Sequence, residues 1–326
     1  VYNSAKIMSI CFIESAAKIW YNCIITLQRG DNMTGIIIID KPSGMTSFGA
    51  VARVRRICST KKCGHTGTLD PMATGVLTVM LGGATRFCEL LESHDKSYIA
   101  SFRLGTVTDT LDITGKVLET RAVDCSEQQV RDAAEGFVGE ISQLPPMYSA
   151  ISVNGQRLYD LARQGIEVER TPRQVSIFSI DFLSANAEAG EYEIAVACSS
   201  GTYIRTLIAD IGEKLGCGAV MTALRRTSAN GFDIKDAVTI EQLEAAANEE
   251  RLGEILLPVD KALGGYGSVT VTEAQAKRFL NGGELFLERL KIKGEGIFRV
   301  YSPKGDFLGL GETEDEYLKV RRVFHD

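Results

Sequence analysis

The sequence predicts an α+β protein built on a mixed, largely antiparallel sheet, followed by a small β-rich domain at its C-terminal end. Three observations predict it. Strand-like runs and helix-periodic stretches interleave without the strict strand-helix-strand repeat that a parallel sheet requires. No GxGxxG or GxxxxGKS run follows any strand, so nucleotide-cofactor folds find no support. After Leu257-Pro258 the composition shifts to short strands separated by Gly-containing turns.

Residues 1–32 open without Met and mix Cys, Trp and Tyr with no clear period before Arg29-Gly30-Asp31-Asn32. They read as an N-terminal extension, non-native or disordered, with Met33 as the start of the chain proper. Gly35 to Asp40 reads as a buried strand, and Lys41-Pro42-Ser43-Gly44-Met45-Thr46 as a loop of turn residues. Ser47 is placed to cap a helix with Phe48, Val51, Val54 and Ile57 on one stripe and Arg53 and Arg56 on another. Further strands are expected at Val76–Leu81, Tyr98–Leu104, Val175–Leu183 and Tyr192–Cys198. Helices are expected near 126–137, 157–164 and 203–215, with a helix-like stretch from Ile240 to Ile255. Beyond the boundary come a helical segment at Ala274–Leu280 and short strands at Gly296–Val300 and Gly305–Leu310. The expected domains are 33–256 and 257–326.

A chain of 326 residues with 44% apolar and 24% charged residues can bury a large core. The net charge of -6 argues against a polyanion as partner unless a local basic patch binds it. Such a patch exists: between Val51 and His65 stand five basic residues, Arg53, Arg55, Arg56, Lys61 and Lys62, and no acidic one. By itself such a run is more often a solvated helix face, though in an acidic chain it counts for more. The eight cysteines form no CxxC pair and no pattern with the three histidines. That excludes a zinc site and a disulfide framework and fits a reducing, cytoplasmic setting. No apolar run approaches the roughly 20 residues of a membrane span.

The chemistry concentrates in Gly64-His65-Thr66-Gly67-Thr68-Leu69-Asp70-Pro71-Met72-Ala73-Thr74-Gly75, where three glycines in twelve residues let the backbone run close to a ligand. Asp-Pro alone is more often a helix start, the carboxylate as N-cap and Pro in the first turn. His65 alone is more often structural, and Tyr98 on an apolar strand more often core. Arg205 falls in the first turn of a predicted helix, where a cation opposes the helix dipole. A solvated surface position or a buried carboxylate partner would each explain it.

In combination these segments closely resemble the TruB-type tRNA pseudouridine synthases. The match takes in Asp40-Lys41-Pro42-Ser43-Gly44-Met45-Thr46-Ser47, Lys61-Lys62, the Asp70 motif and Lys96-Ser97-Tyr98. It continues through Leu144-Pro145-Pro146-Met147-Tyr148-Ser149-Ala150, Val153 to Tyr159, Gly201-Thr202-Tyr203-Ile204-Arg205 and Leu224-Arg225-Arg226-Thr227. The resemblance implies a pseudouridine synthase fold followed by a PUA-like RNA-binding domain, the tail after Pro258 matching more weakly than the core.

By that resemblance Asp70 is the catalytic residue of a reaction that detaches uracil N1 from the ribose and rejoins the ring through C5. An ionised Asp suffices for this without cofactor or metal, whether it attacks the sugar carbon or removes a sugar proton. Arg205 would pair with Asp70 and hold it ionised, and Tyr98 would stack on the target base. His65, Tyr203 and Leu224 complete the substrate-binding set, His65 beside a uridine flipped out of the T-arm loop of tRNA. Lys41, Arg53, Arg56, Lys61, Lys62 and Arg157 are the expected RNA contacts. Segment 143–173, with Asn154-Gly155 as a hairpin turn and Arg157, Arg163, Arg170 and Arg173 after it, is the expected grip on the T-arm. The implied partner is tRNA alone, for a monomeric chain with no membrane contact and no protein partner.

Two other classes fit part of the pattern. A non-catalytic RNA-binding module would share the basic helix and the tail, but Asp70, Tyr98 and Arg205 speak for catalysis. A glycosidase needs a second acid, and Asp109 and Asp112 are the only nearby candidates.

Overall fold

The computed structural model describes residues 33–91, 94–153 and 155–325, so the expectations for residues 1–32 and for Asn154 lie outside the described residues. Two sheets organise the chain. The strands, in order, are β1 (Gly35–Lys41), β2 (Cys63–His65), β3 (Thr74–Leu81), β4 (Lys96–Leu104), β5 (Thr106–Thr108) and β6 (Val117–Thr120). Then follow β7 (Gly139–Gln143), β8 (Ser152–Val153), β9 (Gln156–Arg157), β10 (Arg173–Asn186), β11 (Glu191–Cys198), β12 (Ala219–Ala229) and β13 (Phe232–Asp233). The tail holds β14 (Gly267–Thr270), β15 (Leu285–Phe286), β16 (Ile297–Tyr301), β17 (Phe307–Glu314) and β18 (Tyr317–Val323).

The larger sheet runs β1-β3-β12-β4-β11-β10-β7, with β2 added on β3 and β13 on β12. Only the β3–β12 pair is parallel; every other ladder is antiparallel. The mixed, largely antiparallel α+β architecture expected from the sequence is therefore present. β12 is a correction: an eleven-residue strand at the middle of the sheet where none was expected. The 126–137 and 203–215 helices appear as α2 (Glu127–Glu135) and α4 (Ile204–Lys214), after α1 (Ser47–Ile57) and before α5 (Ile240–Asn248), with the short α3 (Leu158–Arg163) between them. The expected Ile240–Ile255 stretch breaks after Asn248, where Glu250 takes a φ of 59°, and resumes as a short helix at Leu252–Ile255.

Alternation dictates the packing. Tyr98, Ala100, Phe102 and Leu104 of β4 turn to one face with Tyr192, Ile194 and Val196 of β11, burying against Ile204, Leu207, Ile208 and Ile211 of α4 and Val130 and Ala134 of α2. At the other end Ile37 and Ile39 of β1 pack with α1 and α5, while Ile36 and Ile38 join a cluster that reaches Leu310. The β-rich tail, a five-stranded sheet ordered β14-β16-β17-β18-β15, meets that cluster through Phe87, whose ring lies 5.8 Å from Phe307 and 5.9 Å from Phe324. Val259, Ala262 and Leu263 pack under β1 and β3 before the tail's first strand begins at Gly267. Among the described residues no helix is long and apolar enough to cross a membrane.

In α1 the sequence reading is off by one position. Thr46, not Ser47, caps the helix, its hydroxyl accepting from the Gly49 amide at 2.9 Å. The buried face carries Ser47, Ala50, Val51 and Val54, and Phe48, expected on the apolar stripe, is 76% exposed.

Candidate active site

Asp70 lies on the loop joining β2 to β3. No helix starts there: Ala73 donates to the Asp70 carbonyl at 3.1 Å and the chain turns directly into β3. Two supports fix the loop. On one side Ser47 is buried, its hydroxyl donating to the Leu69 carbonyl (2.9 Å) and accepting from the Leu69 amide (2.7 Å). The Gly44 amide donates to the Pro71 carbonyl at 2.8 Å and the Ser43 hydroxyl to the Met72 carbonyl at 3.1 Å. Lys41, fully buried, donates to the carbonyls of Met45 (2.7 Å), Pro42 (2.8 Å) and Pro71 (3.3 Å). This corrects its expected place on the RNA surface, because an ammonium with no exposed area and three carbonyls around it has no face left for phosphate.

On the other side stands Arg226. One edge of β3 is taken by β1 throughout; the other is shared between β12 at Thr74 and Gly75 and β2 at Val79 to Leu81. The Arg226 guanidinium lies in the gap, donating to the carbonyls of Val76 (2.7 Å), Gly67 (3.1 Å) and Thr68 (3.5 Å), with 1% of its surface exposed. Gly75 is required at this junction, since its φ is +101° and a Cβ would sit 2.1 Å from the Arg226 carbonyl oxygen. Arg225 turns the other way and pairs with Asp40 at 2.7 Å.

Arg205, in the first turn of α4, joins the loop to two further segments. Its Nε lies 2.9 Å from Asp70 Oδ2 and its Nη2 3.0 Å from Oδ1, a two-pronged contact with the guanidinium 5% and the carboxylate 29% exposed. Nη1 donates to the Thr110 carbonyl and Nη2 to the Tyr148 carbonyl, both at 2.9 Å, and the buried Asp112 carboxylate stands 3.8 Å from Nη1. Two carboxylates thus offset the helix dipole that a cation at this end would oppose. Behind it, buried Gln143 exchanges hydrogen bonds with Tyr203 at the helix start, receiving its amide (2.7 Å) and donating to its carbonyl (3.0 Å).

Burial pushes the Asp70 carboxyl above the usual carboxylate range, with Asp112 adding to the push and Arg205 and Lys41 opposing it. Tyr98 is 6% exposed among Leu69, Ala73 and Leu224, and burial raises its hydroxyl to about 12, so the phenol is neutral. His65, half-buried on β2, is held below the ordinary imidazole range by burial and by the Arg226 charge, and among the described residues its Nδ1 has no hydrogen-bond partner.

The sequence-named residues therefore divide. Asp70, Arg205, Tyr98, Tyr203 and Leu224 converge on one face of the sheet. Arg55, Arg56, Lys61 and Lys62 are exposed at the end of α1 and the approach to β2. Arg53 is tied to Glu244 of α5, 2.7 Å from Nη2, which lessens its share in that surface. Arg157 lies on the 143–173 segment, where its guanidinium and that of Arg163 approach the Tyr159 ring at 5.9 and 5.5 Å. Sequence reasoning gave no site role to Ser47, Gln143 or Arg226 and treated Asp112 only as a possible second acid. Arg226 alone had a local signal, a basic residue inside a run of small and apolar ones.

Known proteins resemble the chain along most of its length. Residues 55–204 match the family model of the N-terminal domain of TruB family pseudouridylate synthases, residues 205–264 that of the tRNA pseudouridylate synthase B C-terminal domain, and residues 267–324 that of the pseudouridine synthase II TruB C-terminal region. The chain is 44% identical over 296 residues to tRNA pseudouridine synthase B of Clostridium kluyveri, covering 90% of this chain and 100% of that protein. It is 44% identical over 289 residues to the enzyme of that name from Azoarcus sp., covering 89% and 94%. Among solved structures, a chain of a Cbf5-Nop10-Gar1 complex superposes with a TM-score of 0.68 at 27% identity, over 89% of this chain and 85% of that one.

Proposed function

The chain belongs to the TruB family of pseudouridine synthases, and on that premise we propose that it isomerises the T-loop uridine of tRNA, position 55, to pseudouridine, with Asp70 as the nucleophile. The reaction breaks the bond from uracil N1 to ribose C1′ and forms one from C5 to the same carbon. The proton lost at C5 is balanced by the one gained at N1, so nothing is oxidised and no co-reactant is consumed. In this reading the Asp70 carboxylate attacks the ribose carbon as N1 departs, the freed uracil turns to present C5, and the new carbon–carbon bond displaces the carboxylate.

One observation carries the reading: Asp70 is gripped on one side by Arg205 yet keeps accessible surface on the other. The grip sets the carboxylate's direction before substrate arrives, which is where positioning lowers a barrier. Tyr98 and Leu224 offer an apolar floor for the uracil ring, which must be extruded from the loop at a cost of a few kcal/mol. His65, neutral and beside the loop, would contact the flipped nucleotide rather than move a proton. The exposed cations from Arg55 to Lys62 and the 143–173 segment would hold the T-arm, the chain acting as a monomer without a protein partner.

Purified protein and a T-arm stem-loop transcript test the proposal. Pseudouridine at position 55 alone is the expected product; formation elsewhere in the loop would overturn the assigned position. Deuterium on the ribose carbon next to C1′ tests the chemistry: nucleophilic attack leaves the rate nearly unchanged, whereas a large isotope effect means that Asp70 removes that proton instead.

A further inference from the structure

Lys96 opens β4 two residues before Tyr98, a spacing that puts both side chains on one face of the strand. That face holds Asp70, Arg205 and Arg226. Lys96 is half-buried, and its hydrogen bond among the described residues goes to the His94 carbonyl at 3.1 Å. Arg226 donates to the carbonyls of Val76, Thr68 and Gly67. Two cations thus stand side by side, and among the described residues no carboxylate is hydrogen-bonded to either.

Gly67 lies between them: a Cβ there would be 3.5 Å from both Lys96 Cε and Arg226 Nη1. Arg226 takes the carbonyls of Gly67 and Thr68, and, separately, among the described residues neither amide donates to a protein acceptor. Like charges at close range oppose folding and depress each other's proton affinity. Burial and then the Arg226 charge do hold the Lys96 ammonium below the ordinary lysine range, with Cys198 and Asp95 opposing. A cation pair beside unclaimed backbone amides is the arrangement that an arriving anion relieves.

We infer that Lys96, together with the Gly67 and Thr68 amides, seats a backbone phosphate of the RNA flanking the uridine that Asp70 receives. The inference rests on the reading of RNA as substrate and adds to it a specific subsite, three residues along the chain from the catalytic carboxylate. Lys96 is a positioning residue here: it fixes the sugar-phosphate chain so that the extruded ribose meets Asp70.

The test uses T-arm stem-loops carrying a single uncharged methylphosphonate at either phosphate flanking the target uridine, with wild type, Lys96→Gln and Lys96→Arg. In wild type one of the two replacements lowers kcat/KM by about tenfold or more, the loss of a charge-assisted hydrogen bond. Lys96→Gln lowers kcat/KM on unmodified RNA by a similar factor, and the same methylphosphonate then costs nothing further, because the two changes remove one and the same interaction. Lys96→Arg, which keeps the charge, restores most of the activity and the methylphosphonate sensitivity. If the Gln variant does not fold, the wild-type and Arg measurements still decide. Losses that multiply, or a wild type indifferent to both replacements, would overturn the inference alone. A wild type that makes no pseudouridine in unmodified RNA would overturn the functional reading with it.

Discussion

Arg205 holds Asp70 by both carboxylate oxygens, Nε to Oδ2 at 2.9 Å and Nη2 to Oδ1 at 3.0 Å. Asp70→Asn keeps the shape and one set of these bonds but removes the charge and, on the proposed reading, the nucleophile. Turnover is expected to vanish while tRNA affinity stays within about tenfold of wild type. Single-turnover kinetics and a binding titration on the same preparation check both halves, and appreciable residual turnover would remove Asp70 from the chemistry.

The acid side of the pH profile reads the same carboxyl. Burial raises its pKa above the ordinary 3.8, against the pull of Arg205. If Asp70 reacts as proposed, its ionised form is the reactive one, so kcat/KM falls as the pH drops through that raised value, beginning at a higher pH than an exposed aspartate would give. A profile flat down to pH 3.8, measured where the protein remains folded, contradicts this.

How much of this could be read beforehand depended on whether a residue's environment was local. Ile36 to Ile39 and the alternating β11 announced themselves as strands because their burial follows from their own pattern. β12 did not, since Arg225 and Arg226 stand where a central strand should be apolar. Their burial is explained only by Asp40 and by the carbonyls of the split β3 edge, 185 and about 150 residues away in sequence. Lys41 misled for the converse reason: a lysine in an acidic chain reads as surface, and nothing local tells of three carbonyls closing over it. Asp70 and Arg205 were legible through their motifs, but Thr46 and Ser47 are both capping types, and sequence does not settle a helix boundary to one residue.

That one-residue difference has a measurable consequence. Ser47→Ala strips the Leu69 amide and carbonyl of their partner in a buried setting, at about 1–3 kcal/mol for each group left unpaired. It should lower both the melting temperature and kcat, because Leu69 precedes Asp70. Thr46→Ala removes only the exposed helix cap, costing about 1 kcal/mol with kcat nearly unchanged. Equal effects of the two on kcat would show that Ser47 does not hold the Asp70 loop.

Lys41 gives a test at alkaline pH. Burial lowers its pKa from 10.5 to about 8, with Asp70 opposing. The folded chain then gives up this proton before the unfolded chain does, so between about pH 8 and 10.5 the unfolded state binds more protons and the contribution of Lys41 to stability rises with pH. Wild type should therefore gain stability relative to Lys41→Met across that window in denaturant titrations. A difference that does not change with pH would mean that the carbonyl cage, not burial, governs the ammonium.

An acidic protein that binds RNA needs a surface where the local charge outweighs the total of -6. Arg53 is engaged by Glu244 at 2.7 Å, whereas Arg55, Arg56, Lys61 and Lys62 are all exposed. Lys61 and Lys62 sit at the entry to β2, whose end carries His65 and leads into the Asp70 loop. If this surface holds phosphates, Lys61→Ala with Lys62→Ala weakens tRNA binding and flattens the slope of log affinity against log salt by about 0.7–0.9 for each phosphate no longer neutralised. Turnover at saturating tRNA should barely change, because phosphate-binding side chains set the register of the RNA and take no part in the bonds at the uridine. An unchanged salt slope would identify the run as a solvated helix face, and tRNA would then have to be gripped chiefly by the 143–173 segment around Arg157 and Arg163.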